Sequence, residues 1–285
     1  MTILITGASG QLGHLVVDAL LTRGAAPGTI VAGARDLSRV ADLADRGVRT
    51  AHVDYDDPAS LEAALADVES VLLISGSEPG ARLDGHRNVI DAAAAAGVSK
   101  LVYTSAPKAS SFDWALGADH RATEQAIAAS GIPAVIVRNN WYVENYVPDV
   151  QRSADTGVIA ASVGDARISP ATRADFAEGA AVVLLEEGHI GQVYEFAGDT
   201  PVTYDDIAAA ASEVVGRDVA YARLTTAEHI AALTGAGLDE GTAAFVAGID
   251  TGIREGVLDV SDSPLAGLIG RPTTRFADGL RVALA

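Results

Sequence analysis

A glycine-rich turn near the start of the chain has the residue types and spacing of a phosphate-binding loop. The turn comprises Gly7, Ala8, Ser9, Gly10, Gln11 and Leu12, with Gly13 next. Gly7 permits a sharp turn out of an apolar strand, Gly10 lets the backbone approach a diphosphate, and Gly13 lets the following helix pack on the sheet. The helix then presents free N–H groups and its positive dipole end. We predict a dinucleotide-binding turn; the alternative is a turn whose glycines serve packing alone.

The residue that ends the second predicted strand bears on the choice between NADP and NAD. An NAD site carries Asp or Glu there to bond the ribose 2′-hydroxyl, whereas this sequence has Arg35. A guanidinium can hold a 2′-phosphate through paired hydrogen bonds, and Arg39 can face the same site. Asp36 could instead bond the ribose 2′-hydroxyl, and Arg35 could be a solvated surface charge. We predict a preference for NADPH.

Strand and helix patterns alternate six times through the first half of the chain. The predicted strands are short and mostly apolar, as expected when helices cover both faces of a sheet, and they lie at 2–6, 29–34, 48–53, 70–75, 100–105 and 134–138. This order predicts an α/β fold of Rossmann type, with a doubly wound parallel sheet.

The second half of the chain loses this alternation. Residues 139–148 read as a polar and aromatic loop, and helical patterns dominate after about residue 198. We predict a dinucleotide-binding core over 1–140, to which elements from about 165–197 return. We assign 141–164 and 198–285 to a smaller, helix-rich substrate region.

Composition limits the class of partner. The sequence of 285 residues carries a net charge of −18 and no cysteine. The negative charge disfavours nucleic acid as a partner, and a chain without thiols forms no disulfide or thiolate metal site. No carboxylate cluster has metal-ligand spacing alongside His, so we predict no metal. The chain opens on a strand with neither a basic leader nor a long apolar segment, so we expect a cytoplasmic protein without a membrane anchor.

Seven segments together resemble one family. The sequence is similar to the atypical short-chain dehydrogenases/reductases related to NmrA, and especially to bacterial NADPH:quinone oxidoreductase 2 and triphenylmethane-reductase-like proteins. The resemblance rests on ITGASGQLG at the start, LLISGSEPG from Leu72, HRNVIDAAAAAGV from His86, YTS from Tyr103, RNNWYVENY from Arg138, ATRADFA from Ala171 and IGRPTT from Ile269.

This resemblance implies that NADPH binds across the strand ends. The residues implied to contact it are the turn from Gly7 to Leu12, Arg35, Ser75, Gly76, Ser77, Asn139, Asn140, Trp141, Tyr142, Val143 and Glu144. Ser75–Ser77 follow the fourth predicted strand and the Asn139 loop follows the sixth, so both lie at carboxyl ends beside one crevice.

Catalytic residues are less clearly marked. The Tyr-x-x-x-Lys pair of many short-chain dehydrogenases is absent, and the corresponding helix carries His120 and Glu124. Related NmrA-like reductases have a Lys that resembles the occupant of the His120 position. His120 could supply a proton, since an unperturbed imidazole titrates near neutrality, and Tyr142 or Asn139 are alternatives. His120 could equally be structural. Ser105 stands at a position that resembles that of the family's catalytic serine, but the tyrosine that usually accompanies this serine is absent.

An aromatic cluster of Trp141, Tyr142 and Tyr146 falls in the loop after the sixth predicted strand. These rings could stack on a flat substrate, or they could anchor the loop to the C-terminal region.

Three functions compete. The first is an NADPH-dependent reductase of quinones or similar flat electrophiles, acting as a monomer or homodimer. The second is a non-catalytic NADP-binding redox sensor of the NmrA type, suggested by the missing Tyr-x-x-x-Lys pair. The third, an epimerase or dehydratase, ranks last because it needs a strong acid–base pair that the sequence lacks.

Overall fold

The structure is a computed structural model, and it describes residues 1–76 and 80–285. The chain forms two compact units. The first comprises Met1–Ala109, Ala118–Asn139 and Arg173–Phe196. The second comprises Ser110–Gly117, Asn140–Thr172 and Ala197–Ala285.

The first unit contains a parallel sheet of seven strands. They are β1 (Ile3–Ile5), β2 (Ile30–Ala34), β3 (Arg49–His52), β4 (Ser70–Leu73), β5 (Lys100–Ser105), β6 (Ala134–Asn139) and β8 (Val193–Phe196). Their order is β3-β2-β1-β4-β5-β6-β8, and every pairing is parallel. The predicted Rossmann-type doubly wound sheet is therefore confirmed. The strand order reverses between β1 and β4, which is where such sheets bind ligands.

Helices cover both faces of this sheet. They are α1 (Gln11–Thr22), α2 (Ala41–Asp45), α3 (Pro58–Leu65), α4 (Arg82–Ala95), α5 (Gly117–Ser130) and α7 (Arg173–Leu185). Short 3-10 turns precede β2 (Pro27–Thr29) and α2 (Leu37–Val40). On one face α3, α4 and α5 pack on a core that includes Leu61, Ile90 and Ile127. On the other face α1 packs against α7, whose residues from Asp175 to Leu184 are buried apart from Glu178.

Lys100 joins this sheet to the end of α7. Lys100 is 8% exposed, and its Nζ donates to the carbonyls of Val183, Leu184 and Glu186. The last carbonyls of a helix have no partner within the helix and carry its negative dipole end. An ammonium at this position supplies three donors to three such groups, which fixes α7 on β5.

The second unit is mainly helical. It contains α6 (Val147–Thr156), α8 (Tyr204–Val215), α9 (Thr226–Gly235), α10 (Glu240–Arg254), α11 (Leu265–Ile269) and α12 (Phe276–Leu284), a 3-10 turn (Val143–Tyr146), and a parallel pair of β7 (Val158–Ala161) with β9 (Ala220–Arg223). The expectation of a loop over 139–148 is wrong, because this stretch contains the end of β6, the 3-10 turn and the start of α6. Among the residues that the structure describes, no helix has the length and hydropathy needed to cross a membrane.

Candidate functional site

The turn between β1 and α1 is shaped by its glycines. Gly7 has φ of +61°, and its carbonyl accepts a hydrogen bond from the Gly10 amide at 2.9 Å. A Cβ on Gly13 would lie 2.4 Å from the Gly7 carbonyl oxygen, so only glycine fits where α1 meets the turn. Gly10 is the N-cap of α1, and no side chain caps this end. The first amides of α1 are thus left for solvent or an anionic ligand.

Two arginines lie near this turn, and Asp36 is engaged locally. Asp36 Oδ1 accepts from the Ser38 amide at 3.0 Å and from Ser38 Oγ at 2.7 Å, and these bonds lower the pKa of Asp36. Arg39 extends to the Ser9 carbonyl at 3.4 Å, and the Arg35 side chain is exposed. The carboxylate that could have bonded the ribose 2′-hydroxyl therefore caps the 3-10 turn, while Arg39 contacts the glycine turn and Arg35 is exposed at the end of β2.

Hydrogen bonds between side chain and backbone fix the strand ends at the reversal point. Thr6 Oγ1 donates to the Leu72 carbonyl at 2.9 Å and accepts from the Ile74 amide at 3.0 Å. The Tyr55 hydroxyl donates to the Ile74 carbonyl at 2.7 Å. The Ser75 amide donates to Thr104 Oγ1 at 2.9 Å. The ends of β1, β4 and β5 are thus tied together by buried or half-buried groups, which sets the position of Ser75.

Asn139 ends β6 with a side chain that is unusual in this unit. It is 7% exposed, and neither its amide nitrogen nor its oxygen has a hydrogen-bond partner among the described residues. A buried polar group without a partner costs roughly 1–3 kcal/mol. Such a cost is tolerated where a ligand supplies the missing partner, so Asn139 fits the polar contact that the sequence predicts there.

A chain of charged groups follows the ends of β5, β6 and β8. Arg138 binds both carboxylate oxygens of Glu124, with Nε–Oε1 at 2.9 Å and NH2–Oε2 at 2.7 Å, and its third nitrogen reaches Glu195 at 2.9 Å. Ser105 Oγ donates to Glu124 at 2.6 Å. Glu195 accepts from the Lys108 amide, whose residue has φ of +52°. The hydrogen of the Ser105 hydroxyl is therefore committed to Glu124, and both Glu124 oxygens are bonded to Arg138.

Two imidazoles flank Tyr103 in the interior. His120 Nδ1 lies 2.8 Å from the Tyr103 hydroxyl, and the His86 ring packs edge-on to Tyr103 with centroids 5.6 Å apart. Burial, with a smaller contribution from the Arg82 cation, lowers the pKa of His86 to about 4 and that of His120 to about 3. Both imidazoles are neutral at neutral pH, so His120 holds no imidazolium proton there.

The segment after β6 belongs to the second unit and is tied down within it. The Asn140 side chain donates to the Leu258 carbonyl and accepts from the Trp141 amide. Val143 is fully buried, and its amide donates to the Ala171 carbonyl at 3.0 Å. Tyr146 packs edge-on to the rings of Tyr204 and Phe276. Tyr146 therefore anchors this segment within the second unit rather than offering its ring to a substrate. Trp141, Tyr142 and Glu144 are only half-buried.

Comparison with known proteins agrees with this geometry. Residues 7–187 match the NAD(P)H-binding family. The chain belongs to that family. Quinone oxidoreductase 2 of Escherichia coli is 43% identical over 98% of this chain and 97% of its own length. The resemblance inferred from the sequence motifs is thereby confirmed.

Similar solved structures extend the comparison. The crystal structure of Escherichia coli NADPH-dependent quinone oxidoreductase QOR2 complexed with NADPH has a TM-score of 0.94 at 42% identity, covering 100% of both chains. The Citrobacter sp. triphenylmethane reductase complexed with NADP(H) has a TM-score of 0.92 at 35% identity, covering 99% of this chain and 100% of that one.

The structure brings several predicted residues of the NAD(P)H-binding unit to one edge of the sheet. Parallel strands have their carboxyl ends at the same edge, so the glycine turn after β1, Arg35 after β2, Ser75 and Gly76 after β4, and Asn139 at the end of β6 all lie there. Ser77 falls outside the described residues. No group of three or more His, Asp or Glu side chains suited to a metal occurs in the described ranges.

Sequence reasoning missed two features of this site. The first is the bidentate pairing of Glu124 with Arg138, and the second is the hydrogen bond that the Gly76 amide, in the loop after β4, donates to His86 Nε2. Both contacts join residues on different secondary-structure elements, so the spacing of residues along the chain did not indicate them. The ion pair had one signal: Arg138 is a charged residue at the end of an apolar strand, and a buried charge requires a partner.

The close approach at Gly13 gives a stability prediction. Gly13→Ala places a methyl group 2.4 Å from the Gly7 carbonyl oxygen, so the turn must shift. We expect the free energy of unfolding to fall by about 1–3 kcal/mol in urea denaturation. Gly28→Ala is the matched control, because its added methyl meets nothing within 4 Å. Equal losses in both variants would show that the contact at Gly13 does not constrain the turn.

The neutral imidazoles give a pH prediction. Since folding holds the pKa values of His86 and His120 below the ordinary value, the unfolded chain binds more protons between about pH 4 and 6.5. The free energy of unfolding should therefore fall on acidification, by about 1–2 kcal/mol per histidine from pH 7 to pH 5.

Urea denaturation at the two pH values measures this loss. His120→Gln should reduce the pH dependence, whereas His52→Gln should preserve it because the His52 side chain is exposed. An unchanged pH dependence in His120→Gln would argue against a buried neutral His120.

Proposed function

We propose that this protein is an NADPH-dependent oxidoreductase that transfers hydride to a quinone or a similar flat electrophile. The observation that carries the proposal is the uncapped glycine turn between β1 and α1, with the Arg39 guanidinium beside it. This combination suits a dinucleotide with an additional phosphate. Similarity over nearly the whole chain to quinone oxidoreductase 2 supports the choice of acceptor.

The residues of the first unit have distinct roles in this proposal. The turn from Gly7 to Leu12 would bind the diphosphate through the uncapped first amides of α1, Arg35 and Arg39 would bind the 2′-phosphate, and Asn139 would bind a polar group at the end of β6. Ser75 and Gly76 would form the wall after β4. NADPH supplies the hydride when bound, and the protein contributes orientation and exclusion of water.

Several parts of the proposal rest on the resemblance alone. Contacts from Asn140, Trp141, Tyr142, Val143 and Glu144, and from Ser77, stay predictions. Because the Asn140 side chain is already bonded within the second unit, a contact from this residue would use its backbone. The assignment of 141–164 and 198–285 to substrate binding, the monomer or homodimer, the lack of nucleic-acid partners and the cytoplasmic location are likewise predictions.

His120 and Tyr142 stay our candidates for proton delivery. His120 is neutral, so its contribution would be a hydrogen bond from a neutral imidazole rather than release of an imidazolium proton. Reduction of a quinone does not require a strong acid, because the quinone oxygens need only a hydrogen-bond donor or a nearby proton source.

The second candidate function is a non-catalytic redox sensor. It is favoured by one observation: the two residues that stand at Tyr-x-x-x-Lys spacing, His120 and Glu124, are bonded to Tyr103, Ser105 and Arg138. A sensor would bind NADP and NADPH with unequal affinity and turn over no acceptor.

Steady-state kinetics with NADPH and a panel of benzoquinones and naphthoquinones tests the proposed reaction. We expect quinone-dependent oxidation of NADPH. Arg35→Ala should raise the KM for NADPH about tenfold and that for NADH less than twofold, since only NADPH carries the 2′-phosphate.

Arg49→Ala provides the control for charge. Arg49 is exposed at the opposite end of the neighbouring strand β3, so its loss should leave both KM values unchanged. Absence of turnover across the whole panel would refute the reductase, and equal effects of Arg35→Ala on both dinucleotides would refute the 2′-phosphate contact.

We expect substitution of Asn139 to have opposite effects on the stability of the protein and on its affinity for NADPH. Asn139→Leu removes an unpaired buried amide, so the ligand-free protein should become more stable by about 1 kcal/mol, while the Kd for NADPH should rise about tenfold. Asn140→Leu removes a bonded amide and should instead destabilise the protein by about 1–3 kcal/mol. Urea denaturation and calorimetric titration measure these quantities. Destabilisation by Asn139→Leu, with unchanged NADPH affinity, would contradict the assigned role.

A further inference from the structure

Side chains of α4 bind both the backbone N–H and the backbone carbonyl of Gly76. Its amide donates to His86 Nε2 at 2.9 Å, and its carbonyl accepts from Arg82 NH1 at 3.1 Å. Gly76 is half-exposed and lies in the loop after β4, whereas His86 is fully buried and the Arg82 side chain is 8% exposed. The backbone conformation at Gly76 is therefore set by two groups from the interior, with His86 orienting the Ser75–Gly76 peptide and Arg82 binding the Gly76 carbonyl.

The hydrogen bonds around His86 fix its tautomer. Thr123 Oγ1 donates to the Asp119 carbonyl at 2.8 Å, so it must accept from His86 Nδ1, which lies 2.9 Å away. Nε2 accepts the Gly76 amide and therefore carries no proton. His86 is thus a neutral imidazole with its hydrogen on Nδ1. A protonated ring would place an N–H against the Gly76 N–H and break this contact.

The side chain of Asp119 closes the chain of hydrogen bonds into a ring. Its carboxylate accepts from Arg82 Nε at 3.2 Å and from the Gly80 amide at 2.6 Å. The ring runs from Gly76 through His86, Thr123, Asp119 and Arg82 back to Gly76. It connects the loop after β4 to α5, the helix that carries His120, and each member has at least two partners. Networks of this kind hold a unique geometry because losing one member leaves its neighbours unpaired.

We propose that His86 is a positioning residue, whose neutral imidazole orients the Ser75–Gly76 peptide in the wall of the NADPH site. The proposal rests on the proposed function, because Ser75 and Gly76 are cofactor contacts only in that reading. His86 acts through Gly76 and touches no reacting atom. Its effect should therefore fall on NADPH affinity and leave kcat nearly unchanged.

Two amide substitutions separate this role from a purely structural one. The Gln side chain places its amide near the position of Nε2, so His86→Gln can still accept the hydrogen bond from the Gly76 amide but loses the one to Thr123. The Asn side chain places its amide near the position of Nδ1, so His86→Asn keeps the hydrogen bond to Thr123 and loses the one from Gly76. Each variant removes one hydrogen bond of the ring, and a structural role alone predicts similar losses in both.

Kinetics and calorimetry with NADPH and 1,4-benzoquinone give the decisive comparison. We expect His86→Asn to raise the KM and the Kd for NADPH about five- to tenfold, with kcat changed less than twofold. His86→Gln should stay within about twofold of wild type on all three constants. Arg87→Gln is the control, because the neighbouring Arg87 is exposed and bonds only the exposed Asp84 among described residues. Equal changes in the two His86 variants, or a change in kcat alone, would overturn the proposal.

A second measurement tests the premise without NADPH. Nitrogen-15 NMR of histidine-labelled protein at pH 7 should find His86 neutral with its proton on Nδ1, and a proton on Nε2 would overturn the ring described above. The two proposals fail differently. A wild-type protein that does not bind NADPH refutes the function and the positioning role together. A wild type and a His86→Asn variant that bind NADPH equally refute the positioning role alone.

Discussion

The contact between Gly13 and the Gly7 carbonyl governs the rest of the site. Because no Cβ separates them, α1 begins directly against the turn, and its first amides stand at the carboxyl end of β1. Those amides lie beside the point where the strand order reverses, so the crevice and the positive helix end coincide. Arg35 and Arg39 then add charge at the next strand end. A protein of net charge −18 needs such a local concentration of cations to hold a polyanion.

Buried polar side chains, more than loop backbone, set the geometry of the sheet edge. Thr6 and Tyr55 connect β1 with β4, and the bidentate pair of Arg138 and Glu124 connects β6 with α5. A buried ion pair contributes little net stability because desolvation offsets the attraction, yet removing one partner costs about 3–5 kcal/mol. The pair therefore specifies position more than it stabilises the fold. Lys108 illustrates the result, since its left-handed backbone is bonded to Glu195, the second partner of Arg138.

Much of this architecture could be predicted from sequence because its signals are local. The glycine spacing and the apolar strands each act within a few residues, and both correspond to observed elements. The missed elements include the strands β7 and β9 and the helices α6, α11 and α12. The strands are four-residue stretches of alternating or partial exposure, and Val147-Pro148 resembles a loop although Pro suits the first turn of a helix. The state of His120 was also missed, because burial by neighbours distant in sequence determines it.

Lys100 has a chemical consequence beyond its packing against α7. Quinones are electrophiles that add to thiolates and, more slowly, to free amines, so a protein that reduces them is exposed to covalent damage by its own substrate. This sequence contains no thiol, and its lysines are Lys100 and Lys108. The Lys100 nitrogen donates to three carbonyls and therefore has no lone pair to offer while they hold it. The chain thus offers arylating agents few thiol or lysine nucleophiles, a composition that would suit the quinone substrate proposed above.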